Sequence, residues 1–317
     1  SIVSVSLSGN LNVLSPDSDT PCRVIIGIQN SVTGAVLTAN RCLYVSSYDG
    51  KVRMWNFDSD SVLAIPEPAT FGDGSYMTHI TAIAGSVEND EVAFGALDDK
   101  LHLVGKDQGD FNARTVATDS APVSIAALGG STFAVVLENK KAVIIADGQV
   151  AQEIEPDHAT VIASHPALSL LAIGFDDGTF RIYSVSGASA KPTGVEGQPT
   201  QRQVTALAFS PSGEVLATGD AGGKVVPVNT ADGTSLTPRW VFHTARITSL
   251  SWSPDGAHLA SSSLDRHIAV WNKDQLGKVV RIRHTHTEGV GYVAFLSVDS
   301  LVSVGYDSGI KTWKLAL

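Results

Sequence analysis

A twelve-residue unit recurs eight times along the chain, and this recurrence restricts the possible folds more than any other feature. The copies are VSVSLSGNLNVL (3–14), YVSSYDGKVRMW (44–55), AFGALDDKLHLV (93–104), AVVLENKKAVII (134–145), AIGFDDGTFRIY (172–183), ATGDAGGKVVPV (217–228), ASSSLDRHIAVW (260–271) and VSVGYDSGIKTW (302–313). Their starts lie 41, 49, 41, 38, 45, 43 and 42 residues apart. A period of this size marks an array of supersecondary units, each burying its apolar face on the next.

Every unit reads as strand, tight turn, strand. β-Branched and aromatic residues flank polar centres such as YDGK, DDGT and YDSG, whose residues tolerate left-handed turn geometry. Ahead of most units sits another short strand: ITAIAG, VSIAAL, TVIAS, VTALAF, ITSLSW or VGYVAF. Segments such as RVIIGI (23–28) and KVVRIR supply a fourth. Four strands per period make one blade of a β-propeller. Clean polar/apolar alternation is often missing, as expected where neighbouring blades cover both faces of a sheet. The runs are short, glycine-punctuated and rich in Val and Ile, which excludes long helices. The stretch SGASAKPTGVEGQPTQRQ (186–203) reads as a long connection between blades.

Composition narrows the function classes. Hydrophobic residues reach 43% and charged residues only 17%, yet no run is long enough to form a membrane helix. The net charge is −10, and KVVRIRHTH is the nearest approach to a basic cluster, so neither nucleic acid nor membrane is an expected partner. Two cysteines, Cys22 and Cys42, make no disulfide framework and fit a reducing compartment. The start lacks both Met and a leader pattern, so we expect an excised fragment or a processed start.

The sixth position of the unit is Asp49, Asp98, Asp177, Asp265 or Asp307, and the twelfth is Trp55, Trp271 or Trp313 in three copies. This pattern resembles the WD-repeat family across the whole chain. The resemblance implies that the turn Asp accepts hydrogen bonds from a His before the blade. The His meets a Ser or Thr on the second strand, and that hydroxyl reaches the Trp on the third. Carried over, one blade has the full set, His243, Ser263, Asp265 and Trp271. The last has His286, Asp307 and Trp313, with Gly305 where the hydroxyl is expected. The 44–55 blade has Ser47, Asp49 and Trp55, with Ile28 where the His would fall. This order of contacts ends the Ser against an indole inside a sheet, unlike a nucleophile triad, which faces an open pocket with oxyanion donors.

Other chemistry-bearing patterns fail on spacing. GDAGGKVV lacks the first Gly and the following Ser or Thr of a phosphate loop, and a strand follows it. The acidic loop around Asp17 and Asp19 lacks the calcium-loop pattern. His284 and His286 have no second pair of metal ligands at suitable spacing. No catalytic residue, cofactor or metal site is expected.

A closer resemblance rests on RWVFHTARITSLSWSPDG (239–256), SLSGNLNVL (6–14), SSYDGKVRMW (46–55), GDAGGKV (219–225) and DSGIKTW (307–313). These are similar to the second half of the actin-interacting protein 1 family; the Arg239–Trp240 pair ahead of the Trp252 strand is the most specific. The resemblance implies a non-enzymatic cytoplasmic, cytoskeletal protein built of two seven-bladed propellers. It would bind actin filaments decorated by cofilin and promote their disassembly. Residues 1–19 are then a leading hairpin from a preceding propeller, and 20–317 a ring closed by strand exchange between its ends. In that arrangement RVIIGI adds the outer strand that the final hairpin lacks. The expected fold class is all-β, a WD-repeat β-propeller of seven four-stranded blades, with eight as the alternative. A generic scaffold or adaptor is the alternative function. Turn residues Tyr48, Lys51, Asp176, Arg266 and Tyr306 are candidates for partner binding on one rim.

Overall fold

The structure is a computed structural model of the 317-residue chain. It describes residues 2–5, 11–14, 23–25, 32–38, 40–57, 69–71, 80–85, 91–104, 114–155, 157–237, 240–275 and 278–317. Seven consecutive antiparallel sheets form blades 1 to 7, spanning 32–71, 80–117, 122–155, 159–197, 204–241, 247–282 and 290–314. Blades 1 to 6 have four strands in chain order, and blade 7 has three among the described residues. The innermost strands touch in sequence around the ring, and that of blade 7, Val290–Ser297, returns to that of blade 1, Val32–Leu37. The architecture is a seven-bladed all-β propeller. Its one described helical element is the 3₁₀ turn Pro166–Leu168.

The core is divided among the blade interfaces. Seven buried apolar clusters occur among the described residues, each joining two neighbouring blades. Successive side chains on a strand point to opposite faces, so Phe133, Val135 and Leu137 pack toward blade 2 while Ala134 and Val136 pack toward blade 4. That division is why the strands read as apolar runs.

Two expectations are corrected. Ser189–Gly197, inside the stretch read as a connection, is the outer strand of blade 4. It is mostly exposed, and Pro192 sits opposite Tyr183; an edge strand tolerates proline and a polar sequence because one side needs no partner. The second correction concerns closure. The described part of RVIIGI, Arg23–Ile25, pairs with Leu11–Leu14, which pairs with Ile2–Val5 in a separate three-stranded sheet. The leading unit therefore extends past residue 19, and residues 26–28 lie outside the described residues, as do Asp17, Asp19, Cys22 and Arg239. Side-chain packing joins the ends of the ring: Ala294, Val302 and Val304 of blade 7 meet Val32, Leu43, Val45 and Trp55 of blade 1. The Leu37 N–H also donates to the Tyr292 hydroxyl at 2.9 Å.

A second ring lines the central channel, a space of about 410 Å³. Each innermost strand has a β-bulge at its second residue, which leaves Thr33, Thr81, Val123, Thr160, Thr205, Thr248 and Gly291 unpaired in the ladder. Four of these threonines donate to the first carbonyl of the next blade. Thr160 reaches Val204 O at 2.7 Å, Thr205 reaches Ile247 O at 2.7 Å, Thr248 reaches Val290 O at 2.5 Å, and Thr81 bonds to Pro122 O. Glycine permits the approach. A Cβ at Gly174 or Gly219 would lie 2.7 Å from Val204 Cγ1 or 2.6 Å from Ile247 Cγ2. Thr205→Val keeps the shape and removes the clasp between blades 5 and 6. The expected loss is about 1 kcal/mol, read as a lower urea midpoint with an unchanged slope.

Candidate functional site

The turns between second and third strands form one face of the ring, and side-chain networks beneath them fix its shape. In blade 6 these groups form a one-directional relay. Trp271 Nε1–H donates to Ser261 Oγ at 2.8 Å, and Ser261 lies 2.9 Å from His243 Nε2. His243 Nδ1 lies 3.0 Å from an Asp265 oxygen. The carboxylate also accepts the backbone N–H groups of Thr244 at 3.0 Å and His267 at 3.1 Å. With the proton on His243 Nδ1, the tautomer this network selects, every donor has an acceptor.

The bridging hydroxyl is Ser261, which corrects the expectation for Ser263. Ser263 donates to Ala245 O at 2.9 Å and accepts the Asp265 N–H at 3.2 Å, clamping the turn. Blade 7 carries the same relay in full. Trp313 donates to Ser303 at 2.9 Å, Ser303 meets His286 Nε2 at 2.9 Å, and His286 Nδ1 meets Asp307 at 2.8 Å. The hydroxyl sought at Gly305 is two residues earlier.

Blade 1 solves the same problem differently. Val45 occupies the position of Ser261, and Trp55 packs into the interface with blade 7. Arg53, 1% exposed, takes the place of the His: its guanidinium holds Asp49 at 2.7 Å and Ser47 at 2.9 Å, and Ser47 bonds to Asp49. Ser47 and Asp49 are thus brought together, and Trp55 is used elsewhere. In blade 2, His102 meets Asp98 at 3.1 Å. Arg53 and His102 each stand four residues after their Asp, a spacing legible in the sequence. Arg181 has this spacing from Asp177 but pairs with Glu155 at 3.1 Å and Glu196 at 3.3 Å. In blade 5, Asp220 caps the turn from an earlier position, accepting Gly222 N–H and Lys224 N–H at 2.8 Å each and bonding Thr200.

Burial pushes the Asp265 carboxyl up, but the His243 contact and the turn N–H groups outweigh it and hold the pKa below its ordinary value. Asp307 behaves alike: burial is outweighed by the Thr287 N–H, His286 and the Gly309 N–H. Burial lowers His286 below 6.5 against the pull of Asp307, so we take His286 as neutral and Asp307 as held chiefly by backbone donors. A His with a depressed folded pKa binds fewer protons than the unfolded chain as pH falls below 6.5, and depressed carboxylates extend the same deficit into the acid range. His158, raised by Asp176 and Asp157, acts in the opposite sense but is exposed and screened by solvent, so stability is expected to fall on acidification from neutral pH, with a lower melting temperature at pH 5.5 than at pH 7.5.

The serines and histidines of both relays are buried and committed to indole and carboxylate, so no substrate reaches them. Among the described residues, no group of three potential ligands could hold a metal, and no helix is long and apolar enough to cross a membrane. The candidate contact residues all fall on turns of this face. Tyr48 and Lys51 lie in blade 1, Asp176 in blade 4, Arg266 in blade 6 and Tyr306 in blade 7. The structure groups the blade 6, 7 and 1 residues and sets Asp176 apart, where it pairs with His158 at 3.2 Å and Lys140 at 3.8 Å. Phe175, 4% exposed beneath the Arg181 guanidinium, caps the sheet; Tyr48 is 52% exposed.

Comparison with known proteins agrees with this architecture. A family model described as the first β-propeller of IFT140 matches residues 147–296. The chain is 29% identical over 317 residues to the 66 kDa stress protein of Physarum polycephalum. It is 28% identical over 323 residues to actin-interacting protein 1 of Caenorhabditis elegans and 28% over 325 residues to WD repeat-containing protein 1 of Xenopus tropicalis. These alignments cover 98–99% of this chain and 51% of each relative, so the chain spans about half the length of the curated relatives it matches. With the period, the closed ring of seven blades and the Trp–Ser–His–Asp relays established, the chain belongs to the WD-repeat propeller family.

Proposed function

We propose that this propeller is a non-enzymatic actin-binding module that cooperates with cofilin in disassembling actin filaments. The supporting observation is the match along nearly its whole length, 99% of the chain, to a protein named actin-interacting protein 1. A rigid ring presenting turns suits this role, and its buried hydroxyls and imidazoles are occupied by structure. The cytoskeletal, cytoplasmic setting belongs to the same reading. Shifting filaments toward disassembly requires tighter binding to the cofilin-decorated state than to the bare one. A net charge of −10 suits steering toward basic patches on such a partner.

Co-sedimentation with actin filaments, with and without cofilin, tests the proposal: pelleting should increase when cofilin is present. Alanine at Tyr48, Lys51, Asp176, Arg266 and Tyr306 together should reduce it. An unchanged pellet would remove those five residues from the site. Absence of cofilin-dependent pelleting by the folded chain would favour a scaffold in another assembly. The match of residues 147–296 to a propeller of a differently named protein gives that second reading its support.

A further inference from the structure

One sector of the turn face gathers exposed arginines beside apolar side chains. Several cations on the other blades are paired: Lys140 with Asp176, Lys141 with Asp119 and Glu153, and Arg181 with Glu155 and Glu196. In blade 6, Arg246, Arg266 and Arg283 are exposed, and none forms an ion pair among the described residues. They occur in a chain of net charge −10.

The backbone brings these three together with exposed Leu264 and half-buried Tyr306. Leu264 N–H donates to Arg246 O at 3.1 Å, so Leu264, 41% exposed, sits beside Arg246. Thr285 donates to Arg266 O through both N–H and hydroxyl at 2.9 Å, which brings the chain end carrying Arg283 against the Arg266 turn. On the blade 7 side, Tyr306 N–H donates to Gly289 O at 3.1 Å, and a Cβ on Gly289 would lie 3.5 Å from Leu264 Cδ2. Tyr306 and Arg246 both line the central channel, and Tyr48 stands on the adjoining turn of blade 1. Exposed Leu264, half-buried Tyr306 and exposed Tyr48 thus stand on the successive turns of blades 6, 7 and 1, with three arginines on blade 6.

We infer that these residues form a docking surface for an acidic segment of a partner protein, with apolar side chains seated along Leu264, Tyr306 and Tyr48 and carboxylates on Arg246, Arg266 and Arg283. Exposed Tyr and Arg in one patch are the residue types that supply most interface energy. Guanidinium groups match carboxylates in bidentate geometry. A nucleic acid fits less well: the cations are three on one blade, and the same rim carries Asp98 and Asp99 on blade 2 and Asp176 and Asp177 on blade 4, which repel a continuous phosphate chain. The inference stands whether or not the partner is a filament.

Fluorescence anisotropy with three labelled probes tests it: a synthetic peptide alternating Glu with Leu and Phe, a polyglutamate of equal length, and a single-stranded oligothymidylate. The mixed peptide should bind saturably, more tightly than polyglutamate and more weakly as salt rises. Arg246→Glu, Arg266→Glu and Arg283→Glu combined should weaken it by about tenfold or more. Leu264→Ser should weaken it severalfold while reducing the salt dependence little. Thermal melts of the variants check that the ring is intact. No saturable binding, unchanged affinity in the folded triple variant, or equally tight oligothymidylate binding would each overturn the inference. Filament pelleting by the triple variant separates the two proposals: retained pelleting with lost peptide binding places the filament contact elsewhere.

Discussion

Asp265→Ala is expected to destabilise the chain by about 3–5 kcal/mol, as breaking one side of a buried charged contact does. The carboxylate accepts from His243 Nδ1 and from the N–H groups of Thr244 and His267, and its loss leaves three donors without an acceptor. His243 is 4% exposed, so water does not replace the lost partner cheaply. Ser261→Ala should cost about 2–3 kcal/mol, because Trp271 Nε1–H and His243 Nε2 both lose their partner. Ser263→Ala, which loosens the turn clamp by removing the contacts to Ala245 O and from the Asp265 N–H, should cost about 1 kcal/mol. Urea midpoints for the three variants check the order. A double-mutant cycle of Asp265→Ala with Ser261→Ala should be strongly non-additive, since both act through the same imidazole. Equal costs at Ser261 and Ser263 would remove the relay from the account.

The order of those costs separates what the sequence displays from what it conceals. The period, the turn positions and the Asp–Trp frame are legible because each blade needs the same turn chemistry and the same pair of covered faces. Ser261 and Ser263 share strand alternation: both project from the same side of the second strand, and the choice between them depends on where Trp271 and His243 reach. The roles of Arg53 and His102, though their spacing is visible, depend on a related point. The Asp needs a donor beneath the turn, and an Arg or His four residues later on the third strand supplies it as well as a His before the blade. The threonine ring was visible as a recurring letter in ITAIAG, VTALAF and ITSLSW. Its meaning depends on the bulge, which alternation alone does not reveal. Ring closure was the hardest part to read. RVIIGI has the composition of an outer strand in any blade, and pairing rather than propensity assigns Arg23–Ile25 to Leu11–Leu14.

The same contrast bears on function. The residues that look most like chemistry, His243, Ser261 and Asp265, are buried and exchange their hydrogen bonds with one another. The residues available to a partner, Tyr48, Leu264 and Arg266, look like ordinary turn residues. A ring held by relays beneath its turns can vary those turns without disturbing the frame, and this separation lets one architecture serve unrelated partners. Blade 7 shows where the separation fails, because there a turn-proximal position is part of the frame.

Gly305→Ser writes a hydroxyl into the blade 7 position where the repeat pattern expects one, and a reading from pattern alone expects it to stabilise. The structure gives the opposite sign. A Cβ at Gly305 would stand 2.2 Å from His286 Nδ1 and 2.3 Å from Asp307 Oδ1, inside the hydrogen bond that joins them. Neither group is a loose side-chain end. The imidazole is pinned by Ser303, and the carboxylate by Thr287 N–H and Gly309 N–H. Accommodating the new carbon means displacing the ring, which breaks a relay already complete through Ser303 and Trp313. Overpacking together with the broken network should cost about 3 kcal/mol. Gly305→Ala should cost nearly as much, because the Cβ and not the hydroxyl causes the clash. Ser303→Ala tests the same relay from the other end, at about 2–3 kcal/mol, by leaving Trp313 Nε1–H and His286 Nε2 without their shared partner. Urea denaturation followed by tryptophan fluorescence reads all three. A gain in stability from Gly305→Ser would mean that blade 7 lacks its hydroxyl after all, and that the Ser303 bridge is wrongly assigned.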